Sequence, residues 1–421
     1  MTRRSRLCSL LTACLGLALA PAAARAEDQI VVGMSAAFTG PSRGLGIELY
    51  RGSMAWFDDI NAKGGVHGRK IVLRAYDDKY DPAHAVENTV RLIDKDDAFV
   101  LFDYVGTPTT TRILPLLKHH EDASVFLFCP FTGAEPMRRP PYGDFVFNLR
   151  DSYHDETAGL VNKFVGIGRK RIAVFYQIDA YGRGGWDGVR QALAAHGLHI
   201  AAEATYRRGA RFEQSMREQV DILRGTDPDK EPDAVICVGA YAACAAFVRD
   251  ARDAGWDVPI ANVSFVGSEI LLNHLKKAGE ASGKDYTRDL INSQVVPSPY
   301  RRDLPGVEKY RELMDKHRPE PPDQAGTDYR PLEYSFVSLE GFLNARLLTE
   351  VLERVGPEPR RDRVRAAAES IEDLDLGLGP DALVSFGRNR HQGTDRVYYT
   401  AVEDGRFMRL ADDEWRKRWG R

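Results

Sequence analysis

The 421-residue sequence is poor in cysteine, in net charge and in long apolar runs. Five cysteines are too few for a disulfide scaffold. Lys and Arg number 58 against 61 Asp and Glu, so the formal net charge is −3 and there is no basic excess. Nucleic-acid binding draws on a basic stripe that releases phosphate counterions, so no nucleic-acid partner is expected. Beyond residue 26 no uncharged run reaches the roughly 18 residues of a membrane span. The His-Glu-x-x-His, Gly-x-Ser-x-Gly, Cys-x-x-Cys and P-loop patterns are all missing. The chain is therefore not expected to be an enzyme or to carry a metal or cofactor. What is present is globular: 43% hydrophobic and 28% charged residues suit a soluble folded chain. The length fits two to three domains or one large two-lobed unit.

The one long apolar run is at the start. Arg3, Arg4 and Arg6 precede the uncharged segment Leu7 to Ala20, Pro21 breaks it, and Ala24-Arg25-Ala26 offers small residues at a cleavage site. Residues 1–26 read as a secretory signal peptide. A rival reading is a lipoprotein box, Leu11-Thr12-Ala13-Cys14, but the apolar segment continues past that cysteine. Removing the leader takes away four arginines and no acid, which leaves 395 residues with a formal charge of −7. Three cysteines then remain, Cys129, Cys237 and Cys244, and the last two are expected to be buried and reduced rather than paired.

Strands and helices alternate after the leader. Ile30–Met34, Ile71–Tyr76, Phe99–Tyr104 and Val125–Cys129 are short apolar runs that read as strands. Between them, Ile47, Tyr50, Met54 and Phe57 recur at helical spacing, Asp81-Pro82 caps and opens a helix to Asp94, and Thr109–His120 reads as another. The rhythm restarts after residue 150: helix 153–167, strand 171–176, helix 184–196, strand 199–205, helix 211–224, strand 234–238, helix 241–254, strand 259–263. Such alternation implies parallel sheets with helices on both faces. Lys316–Arg330 reads as a surface loop, Tyr334–Val355 as a long helix, and Val384–Phe386, Arg396–Val402 and Arg406–Leu410 as late strands. The charges of the tail, Asp412 to Arg418, suit a surface helix.

Candidate chemistry in these elements has structural explanations. Asp77, Asp78 and Asp81 read as turn and cap residues, His119-His120 as a helix end, and the Gly44/Gly46 and Gly182–Gly185 clusters as close packing. A two-lobed α/β chain without a nucleophile, metal set or cofactor loop points to reversible binding, with ligand at the carboxyl ends of the strands.

Phe38-Thr39-Gly40-Pro41, then Asp58 to Lys70 (Asp-Asp-Ile-Asn-Ala-Lys-Gly-Gly-Val-His-Gly-Arg-Lys), then Tyr76-Asp77-Asp78 with Asp81-Pro82 closely resemble the leucine/isoleucine/valine-binding family. These are type I periplasmic solute-binding proteins serving ABC importers. Tyr181-Gly182 and Ser335–Gly341 continue the likeness over nearly all of the chain. The resemblance implies an α/β fold of two Rossmann-like lobes joined by three hinge crossovers, with the ligand cleft between them. The first lobe would hold 27–148 plus about 280–380, the second 149–279 plus about 381–421.

By the same resemblance, Gly106 and Thr107 lie in the loop that holds a ligand carboxylate, and Phe131, Thr132 and Gly133 form the second binding loop. Tyr181 and Tyr241 match ligand-facing tyrosines of the second lobe, and Glu269 matches the acid that pairs with a ligand ammonium. The family's frequent first-lobe disulfide is absent, because Tyr80 and Gly106 stand at its places. Phe131 replaces a small residue and Tyr104 is bulky, so the cleft wall is expected to be aromatic. Arg150 and Tyr153 follow the first crossover, and Arg150 is placed to clamp a carboxylate. Each has a bland reading beside it: Phe131 as core, Arg150 as a hinge salt bridge, Glu269 as a helix-end charge.

The function implied is an extracytoplasmic substrate-binding protein of an ABC importer. It would be a periplasmic monomer that captures a small carboxylate-bearing solute, an amino acid or an aromatic or organic acid. It would pass the ligand to an inner-membrane permease. The alternative is a sensory protein that presents its ligand to a membrane receptor.

Overall fold

The computed structural model describes residues 29–421. The leader, with its cleavage site and Cys14, lies outside the described residues. β1 (Gln29–Ala36), β2 (Lys70–Asp77), β3 (Val100–Phe102), β4 (Leu127–Phe128) and β5 (Val146–Phe147) form a parallel sheet in the order β2-β1-β3-β4-β5. Parallel neighbours need crossovers, and α1 (Arg43–Ala62), α2 (Pro82–Asp94) and α3 (Thr107–His119) supply them. Asp81 caps α2, its Oδ1 accepting the Ala83 N–H at 2.8 Å. Asp77 accepts the N–H groups of Phe38 and Thr39 at 2.8 and 3.3 Å. Two of the family-like blocks thus meet at the adjacent carboxyl ends of β1 and β2.

The second sheet has seven strands: β6 (Ile172–Gln177), β7 (Ala202–Tyr206), β8 (Ala234–Val238), β9 (Ile260–Asn262), β10 (Leu290–Gln294), β11 (Tyr398–Glu403) and β12 (Arg406–Arg409). Their order is β12-β11-β10-β9-β8-β6-β7, with β11 antiparallel to both its neighbours. α4 (Tyr153–Gly166), α5 (Ala180–Ala195), α6 (Arg217–Arg224), α7 (Tyr241–Asp253) and α8 (Ser268–Ser282) belong with it. α6 starts later than the expected residue 211. The Gln214 side chain accepts the Arg211 N–H, and the Asp250 carboxylate accepts the Met216 N–H, so local side chains compete with a helical ladder there.

α9 (Pro305–His317), α10 (Phe336–Val355) and α11 (Val364–Glu369) return to the first lobe. α10 lies against α1 so closely that a Cβ on Gly52 would stand 1.8 Å from the Ser338 carbonyl oxygen. The lobe boundaries read from sequence need correction. Strand β10 pairs with β9 and β11, so the chain leaves the second sheet after Gln294 rather than near 280. It stays with the first lobe past 380, since His391 stacks on Phe147 at 4.0 Å and Gln392 bridges to Asn148. α8, β10 and α9 were not foreseen. Val384–Phe386, expected as a strand, makes only an isolated bridge from Val384 to Leu374.

The Lys316–Arg330 stretch begins inside α9 and then seals an edge. Gln324 accepts the Asp77 N–H at 2.6 Å and donates to the Ala75 carbonyl at 2.9 Å, standing in for a neighbour of edge strand β2. The tail helix α12 (Asp412–Trp419) buries Trp415 and Trp419. Trp415 packs edge-on against Phe164 and Tyr399 at 5.5 and 5.6 Å, so its charged surface covers a core contact. Cys129, Cys237 and Cys244 are free, buried thiols.

Candidate functional site

In each sheet the strand order reverses beside its first strand, between β1 and β3 in one and between β6 and β8 in the other. Loops after such switch points diverge and leave a crevice. Here the two sets of loops face each other and pack together. Phe265 of the second lobe lies 5.4 Å from Phe131 and 6.2 Å from Tyr80 of the first, centroid to centroid, and 4.5 Å from Tyr181. Tyr153 adds a ring 5.2 Å from Tyr181. All five rings are buried. The separations fit the preferred range for tilted aromatic pairs.

Beside the rings lies a cluster of hydroxyls. Thr107 Oγ1 and Thr132 Oγ1 share a hydrogen bond of 2.6 Å, and Tyr153 Oη is 3.5 Å from Thr107. Gly106 has a φ of 101°, and a Cβ there would stand 2.1 Å from the Tyr80 ring. Its N–H donates to the Phe131 carbonyl at 3.2 Å, joining the two binding loops. Gly133 accepts the Tyr153 N–H at 2.7 Å, and a Cβ on it would meet the Tyr153 ring at the same separation.

Arg150 sits at one end of the cleft, almost completely buried. Its guanidinium lies over the Phe131 ring, 4.5 Å from the centroid. Nη2 donates to Ser264 Oγ, Nε is 3.5 Å from Glu340 and Nη2 is 3.9 Å from Glu156. Glu156 also accepts from the Ser264 N–H, the Ser264 hydroxyl and the Ser293 hydroxyl at 2.7, 2.9 and 2.6 Å. Burial pushes the Glu340 carboxyl up to about 7, against the pull of Arg150. Arg150 does make ion pairs beside the crossover, but not at the surface: it is an enclosed cation that ties the first crossover to α4, α10 and the turn before α8. Nη1 and Nε, both enclosed, have no hydrogen-bond partner among the described residues.

At the other end Tyr241 Oη accepts the Gly44 N–H at 3.2 Å, linking α7 to the start of α1. Glu269, in the first turn of α8, accepts the Phe336 N–H at 3.2 Å. Its second oxygen is enclosed and unpartnered among the described residues. Burial pushes this carboxyl up to about 8. Outside Tyr241 opens a groove of about 460 Å3 between the lobes, lined by Arg43 and Tyr329 on one side and Phe212 and His274 on the other.

The structure thus brings Gly106, Thr107, Phe131, Thr132, Gly133, Tyr153, Tyr181 and Arg150 together. Tyr241 and Glu269 stand toward the second end. Tyr104 does not join them. Its hydroxyl bonds Thr89 of α2 at 3.0 Å inside the first lobe, because its side chain points to the α2 face of the sheet. Sequence reasoning missed Phe265, Ser264, Glu156 and the place of Tyr80 between the lobes. Phe265 sits in the short stretch Val263-Ser264-Phe265-Val266, where no periodicity separates a cleft ring from a core ring.

Among the described residues, no helix is long and apolar enough to cross a membrane, and no group of three or more His, Cys, Asp or Glu is arranged to hold a metal.

A family described as periplasmic binding protein matches residues 29–406. A possible leucine/isoleucine/valine-binding protein from Rhodopirellula baltica SH 1 superposes with a TM-score of 0.80 at 32% identity, over 93% of this chain and 99% of that one. A substrate-binding periplasmic protein from Ralstonia solanacearum gives 0.77 at 28%, over 91% and 100%. Among curated relatives, an amino acid binding protein of Pseudomonas aeruginosa is 28% identical over 54% of this chain and 58% of its own length. A Leu/Ile/Val-binding protein of Rhizobium johnstonii is 30% identical over 45% and 50%. The chain spans about half the length of these curated relatives.

Proposed function

The chain belongs to the periplasmic binding protein family, of the leucine/isoleucine/valine-binding type, and from that premise we propose that it is the extracytoplasmic substrate-binding component of an ABC importer. It works in the periplasm as a monomer, closes its lobes on a small carboxylate-bearing solute and delivers it to an inner-membrane permease. The observation that carries this reading is the meeting of two sets of strand-end loops around enclosed polar groups, Arg150, Thr107, Thr132 and Glu269, with aromatic walls between them. Binding energy would come from charge-assisted hydrogen bonds and ring contacts in a site closed to water. No bond in the ligand needs to change.

Calorimetry and thermal shift test this on protein stripped of carried-over ligand, with amino acids, aromatic acids and short dicarboxylates as the panel. A binding ligand raises the melting temperature with its concentration relative to Kd. Silence across the whole panel sinks the reading. Glu269→Gln then sorts the ligand. If an ammonium pairs with Glu269, affinity drops by roughly ten- to a hundred-fold, as for a lost charged hydrogen bond. Unchanged affinity identifies an acid without an amine.

A further inference from the structure

The importer reading above leaves the ligand's chemical class open, and the following inference rests on that reading. The middle of the cleft is occupied by a ring of this chain. Phe265 stands on the short turn Ser264–Val266, which Gly267 ends with a φ of 75°. Its ring touches Tyr181 behind it and Phe131 and Tyr80 across the cleft. Its neighbour Ser264 accepts from Arg150, so the guanidinium lies close to the foot of the ring. That guanidinium is enclosed and lies over Phe131; Nε and Nη2 face Glu340 and Glu156, and Nη1 has no acceptor among the described residues. An enclosed charged donor left without an acceptor is costly, and a carboxylate satisfies a planar guanidinium best.

We infer that the ligand is an aromatic carboxylate: its ring replaces that of Phe265 against Phe131 and Tyr181, and its carboxylate meets Arg150. Exchanging ring for ring keeps the aromatic contacts of the cleft. A branched aliphatic side chain in the same place forfeits them. The acid can be a simple one or an α-amino acid, and the probes below separate the two.

The test is calorimetric titration of the stripped, full mature chain with four probes: benzoate, phenylacetate, L-phenylalanine and L-leucine. The same titrations are run on Phe265→Ala, Phe131→Leu and Arg150→Lys. The expected result is that at least one aromatic probe binds about ten-fold or more tightly than L-leucine, a margin of one to two ring contacts. Phe265→Ala removes the competing ring and tightens the aromatic probe. Phe131→Leu weakens it by roughly two- to ten-fold. Arg150→Lys weakens it by roughly ten-fold or more, through loss of the paired donors. If Arg150→Lys does not fold, by circular dichroism, the two phenylalanine variants carry the test. The inference is overturned if L-leucine binds as well as every aromatic probe, or if Phe265→Ala weakens aromatic binding. If none of the four probes binds it is overturned too, while the importer reading still stands or falls on its wider panel. Binding of L-phenylalanine but not benzoate or phenylacetate supports the α-amino form of the same class.

Discussion

The two ends of the cleft handle buried charge in opposite ways. At one end Arg150 faces two carboxylates, Glu156 and Glu340, and Glu156 is bonded by Ser264 and Ser293 as well. At the other end Glu269 has no cation beside it among the described residues, only backbone N–H donors such as that of Phe336, and Glu48 of α1 is near enough to disfavour its charge. The first end is a structural knot that also has donors to spare. The second holds a carboxyl that the protein itself leaves uncompensated. Both meet the first turns of α10, through Phe336 and Glu340. One helix of the first lobe therefore senses both ends.

The largest expected effect breaks the knot. Arg150→Met leaves two enclosed carboxylates facing an apolar side chain, a loss of about 3–5 kcal/mol in chemical denaturation. Arg150→Met combined with Glu340→Gln should recover part of it. No recovery would mean that Arg150 matters for its packing on Phe131 and not for its charge.

Gly106→Ala should come next. The new Cβ enters the Tyr80 ring and the residue must hold a left-handed backbone, which together cost about 1–3 kcal/mol. The Tyr80→Ala background should relieve the steric share, and equal losses in both backgrounds would assign the effect to the backbone alone.

Tyr241→Phe removes the acceptor of the Gly44 N–H at the second end. A loss of about 0.5–1.5 kcal/mol is expected. Because the bond joins the lobes, small-angle scattering should also show a larger open fraction. Identical scattering curves would argue against its role as a clasp.

The remaining effect concerns pH and draws on several buried acids at once. Burial raises the Glu269 carboxyl from 4.5 to about 8, so the folded protein keeps a proton that the unfolded chain has released. Stability from this group is present below the unfolded value and is lost as pH rises through about 8. Glu340, raised to about 7, and Asp151, raised to about 8, act in the same direction. The melting temperature should fall between about pH 5 and pH 8.5, and less steeply in Glu269→Gln. Parallel slopes in the two proteins would remove Glu269 from the account.

Much of the architecture was legible because local rules decide it. Asp81-Pro82 marks a helix start by capping and by proline's fixed φ, and the structure has that helix start there. The strand of Ile30–Met34 follows from β-branched apolar residues, and β1 covers it. The stretch 264–317 was not legible. Its helices α8 and α9 carry buried leucines and valines among lysines and glutamates, but its strand β10, Leu-Ile-Asn-Ser-Gln, is buried along its whole length despite three polar residues. Asn292 and Gln294 both donate to Ser268, a long-range pairing that no local pattern announces.

The candidate site divides the same way. Resemblance pointed to Thr107, Phe131, Tyr181 and Glu269 as positions, since spacing along the chain marks where loops follow strands. What those side chains do depends on partners far away in sequence. Tyr104 turns into the first lobe to reach Thr89, and Gly106 gives its N–H to Phe131. The sequence by itself determined that this is an alternating α/β chain, low in net charge, with acids and glycines where turns and caps need them, because those outcomes rest on neighbours within a few residues. Only the tertiary structure decided that Phe265 fills the cleft, that Arg150 is enclosed between acids of two helices, and that the chain crosses between lobes after Gln294. Each of these depends on burial, and burial is set by segments that are distant along the chain.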